Sequence, residues 1–417
     1  MDQSDIRLDL SNLFALGVHM RNRWRDLFLL FVVALFATGS IILANAQDNV
    51  VDDKVQIQSS ILKQSRSVVV HKPSSYQNGT DRYPLLYLLD GQDFLKFTTD
   101  ITNNLAENDR APEMIIVAID SGDFAQRTHD LTPPTQSELD RRFHPGAGGA
   151  DAFRRFISDE LMPYIQQHYR TRPYKILAGH SLGGLFGVDT LIKKPELFNA
   201  YLLLDPTLSW NNEGEVTPAF LEKTQHLQAD MFLAAANRYG SAAADIQHFV
   251  AMLQKRTPDA EFRWHYIWMK EESHGSIPLI GIYTGLLSIF DQWQMVNPLE
   301  VYDQGGMDAV HEFYRQGNKH YGFDRVVPAF TVSLVVAGLI NAGRLEEAGT
   351  VLLHDPKSYP PPWNQLDALA RKYAEHGDRE KAIHYYQLSL KENPSNETAK
   401  EKLKEFRAPS EPSRPDK

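Results

Sequence analysis

The sequence predicts an α/β fold with a mostly parallel central sheet, followed by a smaller all-helical region. Short apolar segments of strand length alternate with amphipathic helical patterns between residues 55 and 293, and this alternation favours a sheet covered by helices on both faces. Beyond residue 306 only helical spacing continues. A third observation is a Gly-x-Ser-x-Gly turn between an apolar segment and a helical pattern, because such turns connect a strand to a helix in enzymes of this class.

The predicted strands follow one another from residue 55 to residue 268. β-branched residues are frequent in the first two, and a turn rich in Gly, Asn and Asp at 76–82 precedes the third. The strands are Val55–Ser60, Ser67–His71, Tyr83–Leu89, Met114–Ile119, Tyr174–Ala178, Ala200–Leu204, Met231–Ala235 and Phe262–Trp268. Apolar residues at helical spacing predict helices at Asp151–Tyr169, Asp245–Gln254 and Leu279–Trp293.

Length and composition restrict the class of protein. A chain of 417 residues is too long for one typical core, so we expect two domains. The net charge of −10 argues against a nucleic-acid-binding surface. The chain has no cysteine, which excludes a thiol nucleophile, disulfide bonds and cysteine-ligated metals. We expect neither a cofactor nor a metal, since Asp90 and Asp93 lack a further ligand at suitable spacing.

The N-terminus indicates export. A basic stretch precedes the apolar run Leu27–Phe36, and Ala44–Ala46 has the small-x-small form of a signal-peptidase site. We expect cleavage after Ala46 and a periplasmic or secreted protein, with either Met1 or Met20 as the start. The alternative is an uncleaved anchor, because residues 27–46 are long enough to span a bilayer.

The C-terminal region contains two stretches that resemble each other at a fixed offset. The residues that recur 34 positions later are Gly343, Ala348 and Pro360, matched by Gly377, Ala382 and Pro394. This period and pattern resemble the tetratricopeptide repeat, although two unrelated helix pairs are the alternative. We divide the chain into an N-terminal extension with the signal peptide at 1–46, an α/β domain at 47–296, a helical domain at 305–407 and a disordered tail at 408–417.

The Gly-x-Ser-x-Gly turn indicates a nucleophile elbow of the α/β-hydrolase type. A strained strand-to-helix turn lifts Ser181 clear of the sheet, and the helix N-terminus behind it favours a developing oxyanion. We expect Gly179 and Gly183 to be required because a side chain there would contact neighbouring backbone. Ser181 is therefore the predicted nucleophile of an acyl-transfer reaction.

A serine nucleophile requires a base, which in α/β hydrolases follows it in the chain. His274 lies in a loop of small residues after the last predicted strand and is the predicted base. Asp245 is the carboxylate ranked first as the acid, although it is also suited to begin a helix. The alternatives are Glu271 or Glu272 and a Ser–His dyad whose imidazole is oriented by a backbone carbonyl or Asn237, whereas Asp205 is expected only to line the pocket.

The oxyanion hole requires two N–H donors. One is predicted to come from Leu182, directly after the nucleophile, and the other from Gln92, because Gly91 permits a sharp turn after the third strand. Candidate substrate-binding residues are Arg127, Asp130 and Trp210. The alternatives are an ion pair between Arg127 and Asp130, and a place in the core for Trp210.

Five motifs in order resemble the "Putative esterase" family of α/β hydrolases, over about residues 55–293. They are Tyr83–Asp93, Arg127–Pro133, Gly148–Phe153, Gly179–Gly184 and Ser273–Ser276. The branch that this chain resembles includes siderophore esterases and S-formylglutathione hydrolase-like enzymes. The resemblance implies Ser181 and His274 as catalytic residues, with Gln92 and Leu182 as oxyanion donors. The chain departs from the family after its seventh strand, where many members have a Glu and this chain has Asn237.

Motifs and resemblance together predict a serine carboxylic-ester hydrolase that acts through an acyl-enzyme on siderophore-type or other small esters. One alternative is an acyltransferase of the same fold. Another is a non-catalytic scaffold that uses the helical repeats, suggested by the absence of a clear acid. The expected partners are a small-molecule ester and a protein at the repeats, with no nucleic acid, and with a membrane only if the N-terminal segment is uncleaved.

Overall fold

The computed structural model describes residues 52–212, 227–238, 241–256, 262–354 and 360–407. The predicted signal peptide and the predicted C-terminal tail therefore lie outside the described residues. The side chains of residues 241–243 are also outside them.

The centre of the molecule is an eight-stranded sheet with the order β1-β2-β4-β3-β5-β6-β7-β8. β1 and β2 are antiparallel to their neighbours, and all other pairs are parallel, so the predicted mostly parallel sheet is confirmed. The strands are β1 Asp53–Ser59, β2 Gln64–His71, β3 Tyr83–Leu88, β4 Ile115–Ile119, β5 Thr171–His180, β6 Ala200–Leu204, β7 Ala229–Ala236 and β8 Phe262–Met269.

Helices cover the sheet and then continue alone beyond residue 298. Around the sheet lie α1 Gly91–Glu107, α2 Phe124–Leu131, α3 Glu138–Phe143, α4 Ala150–Phe156, α5 Met162–His168, α6 Leu182–Lys193, α7 Ser241–Gln254 and α8 Ile277–Ile289. A π-helical turn at Ile157–Leu161 joins α4 to α5, and 3₁₀ turns lie at Ser74–Gln77 and Pro195–Leu197. The C-terminal helices are α9 Pro298–Tyr321, α10 Ala329–Asn341, α11 Leu345–Leu353, α12 Trp363–Glu375, α13 Arg379–Glu392 and α14 Glu397–Arg407.

Burial explains why the sequence forms this sheet. Every residue of β3, β4, β6 and β7 is buried, as expected for parallel strands that are covered on both faces and are apolar throughout. β1 at the sheet edge instead alternates exposed with more buried positions. Glu160 holds the turn after β1, because its carboxylate accepts hydrogen bonds from the Ser60 and Ile61 N–H groups at 2.8 and 3.2 Å.

The C-terminal helices form a second apolar cluster, built from residues such as Val335, Leu339 and Leu369. The glycines that recur at the 34-residue offset end the first helix of successive helix pairs, α10–α11 and α12–α13. Gly343 has φ 74° and Gly377 has φ 81°, a conformation that glycine adopts without strain. The recurrence therefore has a structural basis, while the assignment to the tetratricopeptide repeat stays a prediction.

The first C-terminal helix packs back on the sheet. α9 crosses the predicted domain boundary and is bent at Gly305–Gly306, where the φ and ψ angles are not helical. At the end of α9 the ring centroid of Tyr321 lies 5.5 Å from that of Tyr174 in the first half of β5 and 5.1 Å from that of Phe290 after α8. The helical region therefore contacts the α/β domain at this point.

Candidate active site

The turn between β5 and α6 has the strained geometry that the sequence motif predicts. Ser181 has φ 59° and ψ −113°, which is unfavourable for a residue with a side chain. Its N–H donates to the Leu204 carbonyl at 3.0 Å, and its own carbonyl accepts from the Leu185 and Thr207 N–H groups at 3.0 and 3.1 Å. Three backbone hydrogen bonds therefore hold this turn, and the Ser181 hydroxyl lies 3.3 Å from that of Thr207.

Two glycines of the motif are required for close packing. A Cβ added to Gly179 would lie 2.3 Å from the Gly183 carbonyl oxygen, and one added to Gly184 would lie 2.8 Å from the Pro206 Cβ. At Gly183 itself the nearest atom, on Leu89, would be at an ordinary 3.5 Å. The expectation for Gly179 agrees with this geometry, whereas Gly184 and not Gly183 is the second glycine that the turn needs.

The carboxylate that meets His274 belongs to Asp205. Its Oδ2 lies 2.6 Å from the imidazole Nδ1, and its Oδ1 accepts the Ala236 N–H at 3.2 Å. Asp205 directly follows β6 and is fully buried, whereas the side chain of His274 is 39% exposed. Burial alone would raise the pKa of Asp205, but the hydrogen bond from His274 and the charge of Arg238 outweigh it and hold that pKa below its usual range.

Asp245, the acid ranked first from the sequence, is therefore not the partner of His274. It lies within α7 and is buried there. The physical reason for the correction is the register of the sheet. His180 pairs with Leu204 across β5 and β6, so Ser181 and Asp205 are the next residues along two adjacent parallel strands. Asn237 does not orient the imidazole through its side chain either, since its described contact is its backbone N–H to the Glu272 carbonyl at 2.8 Å.

Arg238 contacts the same histidine, and the sequence offered no indication of this. The guanidinium Nε lies 2.5 Å from Asp205 Oδ2, and Nη2 contacts Nδ1 of His274 and lies 3.0 Å from its Nε2. Within the described part of the chain, no hydrogen bond joins Ser181 to His274. The imidazole is therefore held by the carboxylate of Asp205, and the guanidinium of Arg238 lies against the ring.

The ring of His180 packs against that of His274, the predicted base. The ring centroids of His180 and His274 are 4.3 Å apart, and the planes are inclined by 39°. Burial, and after it the charge of His274, lower the pKa of His180 to about 4. His180 is therefore neutral at pH 7, and it adds no charge to the site.

The two predicted oxyanion donors lie at the starts of two helices. Gln92 is the second residue of α1, and Leu182 is the first residue of α6, where backbone N–H groups lack an acceptor within the helix. The left-handed residue of the first turn is Asp90, with φ 55°, and not Gly91. Glycine is needed at 91 for another reason, because a Cβ would lie 2.7 Å from that of Ala118 in β4.

Arg127 connects these two turns. Its guanidinium donates to both oxygens of Asp90 at 2.7 and 2.8 Å and to the His180 carbonyl at 3.1 Å. It therefore joins the residue before α1 to the residue before Ser181. The alternative pairing of Arg127 with Asp130 is wrong, and the predicted contact of Arg127 with substrate stays a prediction.

Asp130 and Trp210 are not available to a substrate. Asp130 is buried in an ion pair with Arg66 of β2 and lies 3.0 Å from His129 Nδ1. Trp210 is 1% exposed, and its indole N–H donates to the Pro133 carbonyl at 3.0 Å. Both predicted substrate-binding roles are corrected, because these side chains already have internal partners and are out of reach of solvent.

Neither a metal-binding cluster nor a membrane span is found in the part of the chain that the structure describes. Among those residues, no three His, Asp or Glu side chains converge as metal ligands would. No helix in the described ranges has the length and hydrophobicity of a membrane span. The predicted export of the protein stays a prediction.

Comparison with known proteins identifies the family. Residues 59–263 match the model of the family described as "Putative esterase". The chain is 32% identical over 209 residues to the ferri-bacillibactin esterase BesA of Bacillus subtilis, a match that covers 43% of this chain and 71% of that enzyme. It is 33% identical over 145 residues to the siderophore triacetylfusarinine C esterase of Aspergillus fumigatus, covering 33% of this chain and 48% of that one. This chain thus spans about half the length of the fungal relative.

A solved structure supports the same fold. The IroE-like serine hydrolase from Shewanella oneidensis superimposes with a TM-score of 0.56 at 24% identity, over 72% of this chain and 98% of that one. At this identity the similarity establishes the fold, and the sequence match to the bacterial relative establishes the family. The chain belongs to the "Putative esterase" family and is an enzyme that hydrolyses esters.

Proposed function

We propose that this protein is a serine esterase that acts through an acyl-enzyme, with Ser181 as nucleophile, His274 as general base and Asp205 as the acid of the triad. The observation that carries the proposal is the 2.6 Å contact between Asp205 Oδ2 and His274 Nδ1, made by a fully buried carboxylate. A carboxylate at Nδ1 holds the proton there, which leaves Nε2 as the atom that accepts a proton from the nucleophile.

In the first step Ser181 Oγ attacks the ester carbonyl, while its proton moves to Nε2 of His274. The imidazolium that forms is stabilised by the depressed pKa of Asp205, because this carboxylate stays ionised. The negative charge on the carbonyl oxygen is stabilised by the N–H groups of Gln92 and Leu182 at two helix N-termini.

Collapse of the tetrahedral intermediate breaks the bond to the alcohol oxygen, which takes the proton from Nε2. Water then attacks the acyl-enzyme, transfers a proton to Nε2, and releases the acid and the free Ser181 hydroxyl. In the resting structure Ser181 Oγ contacts Thr207 Oγ1 at 3.3 Å, so the hydroxyl exchanges this contact for one with Nε2 before the attack.

The proposed substrates are siderophore-type esters, because the two relatives described above are named as a ferri-bacillibactin esterase and a siderophore triacetylfusarinine C esterase. The site favours hydrolysis over a scaffold role. The scaffold was considered because the sequence has no clear acid, and the contact between Asp205 and His274 supplies a candidate for that acid. An acyltransferase would use the same residues with another acceptor, so a product assay with added alcohols distinguishes the two reactions.

The test compares the wild type with Ser181→Ala and with Ser158→Ala, a control that removes a partly exposed serine elsewhere. Turnover of p-nitrophenyl butyrate and of a ferric trilactone siderophore should be lost in Ser181→Ala and kept in the control. A fluorophosphonate probe should label the wild type and the control but not Ser181→Ala. Equal turnover in all three proteins would reject the proposed mechanism.

A further inference from the structure

The position of Arg238 is not explained by the proposed mechanism. Its guanidinium Nη2 lies 3.0 Å from Nε2 of His274, the atom that must exchange protons with Ser181 and with the leaving alcohol. An arginine side chain stays charged and has no acceptor, so it neither takes part in the proton transfer nor yields its place by losing a proton. Nη2 is closer still to Nδ1, so in the resting structure a cation lies against both ring nitrogens of the base.

A fixed cation at this position would oppose the reaction. The attack of Ser181 turns His274 into an imidazolium, and a neighbouring guanidinium disfavours that second positive charge. The resting contacts agree with an unassembled triad, because the Ser181 hydroxyl lies against Thr207 instead of His274. Efficient catalysis consequently requires either that a negative charge offset the charge of Arg238 or that the guanidinium move away from His274.

Among the described residues, the charge of Arg238 is only partly matched by a carboxylate. Arg127, the other arginine at the site, has both oxygens of Asp90 for its guanidinium. Arg238 instead shares one oxygen of Asp205 with His274, while the second oxygen is occupied by the Ala236 N–H. The Arg238 side chain is 19% exposed, so a solute that enters the site can reach it.

We propose that Arg238 determines specificity by binding a negatively charged group on the alcohol part of the ester. The alcohol side is selected by geometry, since Nε2 delivers its proton to the leaving oxygen and the guanidinium lies beside Nε2. The anion draws Arg238 away from His274, so that the substrate itself completes the triad. This inference rests on the proposed serine mechanism and adds the class of ester that the site prefers.

The test uses two esters with the same acyl group and nearly the same shape, 3-acetoxybenzoate and 3-acetoxybenzamide, which differ in one negative charge. The proteins are the wild type, Arg238→Gln, Arg238→Lys and, as a control, Arg155→Gln, whose arginine is 67% exposed on the surface. The wild type should favour the benzoate. Arg238→Gln should lower the ratio of kcat/KM for the benzoate to kcat/KM for the benzamide by roughly tenfold.

Arg238→Lys should recover part of the preference, and the control should match the wild type. An equal fall for both esters in Arg238→Gln would show that Arg238 only supports the structure, and no change would show that it has no role, so either result overturns the proposal. Circular dichroism and thermal unfolding check that each variant is folded.

A binding measurement separates this proposal from the serine mechanism. Ligand-observed NMR compares 3-hydroxybenzoate and 3-hydroxybenzamide, the alcohols released from the two esters, on the wild type and on Arg238→Gln. Binding of the benzoate that is lost in the variant supports the anion site even if neither ester is hydrolysed. Equal binding to both proteins overturns the role of Arg238, whatever the outcome with Ser181→Ala.

Discussion

Two buried aspartates lie at opposite ends of the parallel strands, one at the carboxyl edge of the central sheet and one at the amino edge. Each is paired with a histidine and an arginine. Asp205 follows β6 at the carboxyl edge and meets His274 and Arg238. Asp230 lies near the start of β7 at the amino edge and meets His320, at 2.7 Å, and Arg263. The same three residue types thus occur at the candidate active site and on the far side of the sheet.

The amino-edge cluster is the more completely bonded of the two. The carboxylate of Asp230 accepts from Arg263 at 2.8 and 2.9 Å, from the Tyr174 hydroxyl at 2.9 Å and from His320. Burial alone would raise the pKa of Asp230, but the hydrogen bonds from His320 and Arg263 hold it below its usual range. These contacts tie β5, β7, β8 and the end of α9 together.

The two clusters differ in their surroundings. A strained serine turn follows the strand next to Asp205. The side chains that bond to Asp230 are those of Tyr174, Arg263 and His320, and none of these residues lies on such a turn. An Asp–His–Arg cluster with a depressed carboxyl pKa is therefore weak evidence for catalysis by itself. Its position at the carboxyl edge of a parallel sheet, beside the turn after β5, gives the cluster at Asp205 its chemical meaning.

The largest effect is expected from the same substitution at the two aspartates. Asp205→Asn removes the charge that stabilises the imidazolium and should lower kcat by about 10³- to 10⁴-fold. Asp230→Asn should leave kcat per folded molecule within about twofold, because it lies at the other edge of the sheet. Steady-state rates on p-nitrophenyl butyrate measure both, and similar losses in the two variants would contradict the assignment of the acid.

The second expected effect concerns the free energy of unfolding and is tested at Asp230. Asp230→Ala leaves Arg263 and His320 without their shared carboxylate, and it should lower the free energy of unfolding by about 2–4 kcal/mol. Asp100→Asn, at an exposed position on α1, is the control and should change it by less than about 0.5 kcal/mol. Urea unfolding at pH 7 gives both values. A loss as small as that of the control would show that the amino-edge cluster does not stabilise the fold.

The smallest expected effect is the pH dependence of the stability that Asp230 contributes. The folded-state pKa of Asp230 is below its unfolded value, so its contribution is fully present above an unfolded pKa of about 4 and declines as the pH falls through the folded pKa. The difference in unfolding free energy between the wild type and Asp230→Asn should stay constant from pH 7 to about pH 5 and shrink below about pH 4. A difference that grows towards acid pH would mean that the sign of the shift is wrong.

Much of the fold follows from local sequence pattern. Ala200–Leu204 was predicted with the bounds of β6, since five apolar residues between polar turns are long enough for a buried strand and too short for a helix. Ser181 and His274 were predicted as site residues from motif and chain order, and the geometry around them is compatible with those roles.

The contacts that were missed depend on register and on partners distant in the chain. Asp205 lies beside Ser181 because β5 and β6 end together, and it meets His274 from the loop after β8, which no local pattern encodes. Asp130 was assigned to a pocket because its partner Arg66 lies in β2 and is recruited only by the folded sheet. Asp205 still had one usable signal, as the first residue after the strand that follows the motif.

The contact between Tyr321 and Tyr174 also bears on the order in which the chain is completed during synthesis. Ser181 directly follows β5, but Tyr174 in the first half of that strand packs against the ring of Tyr321 in the last turn of α9. On the ribosome, that packing has to wait until residue 321 has emerged. The catalytic half of a nascent chain consequently stays unfinished until part of the helical region exists, and its exposed aromatic surface is what a chaperone would meet in the interval.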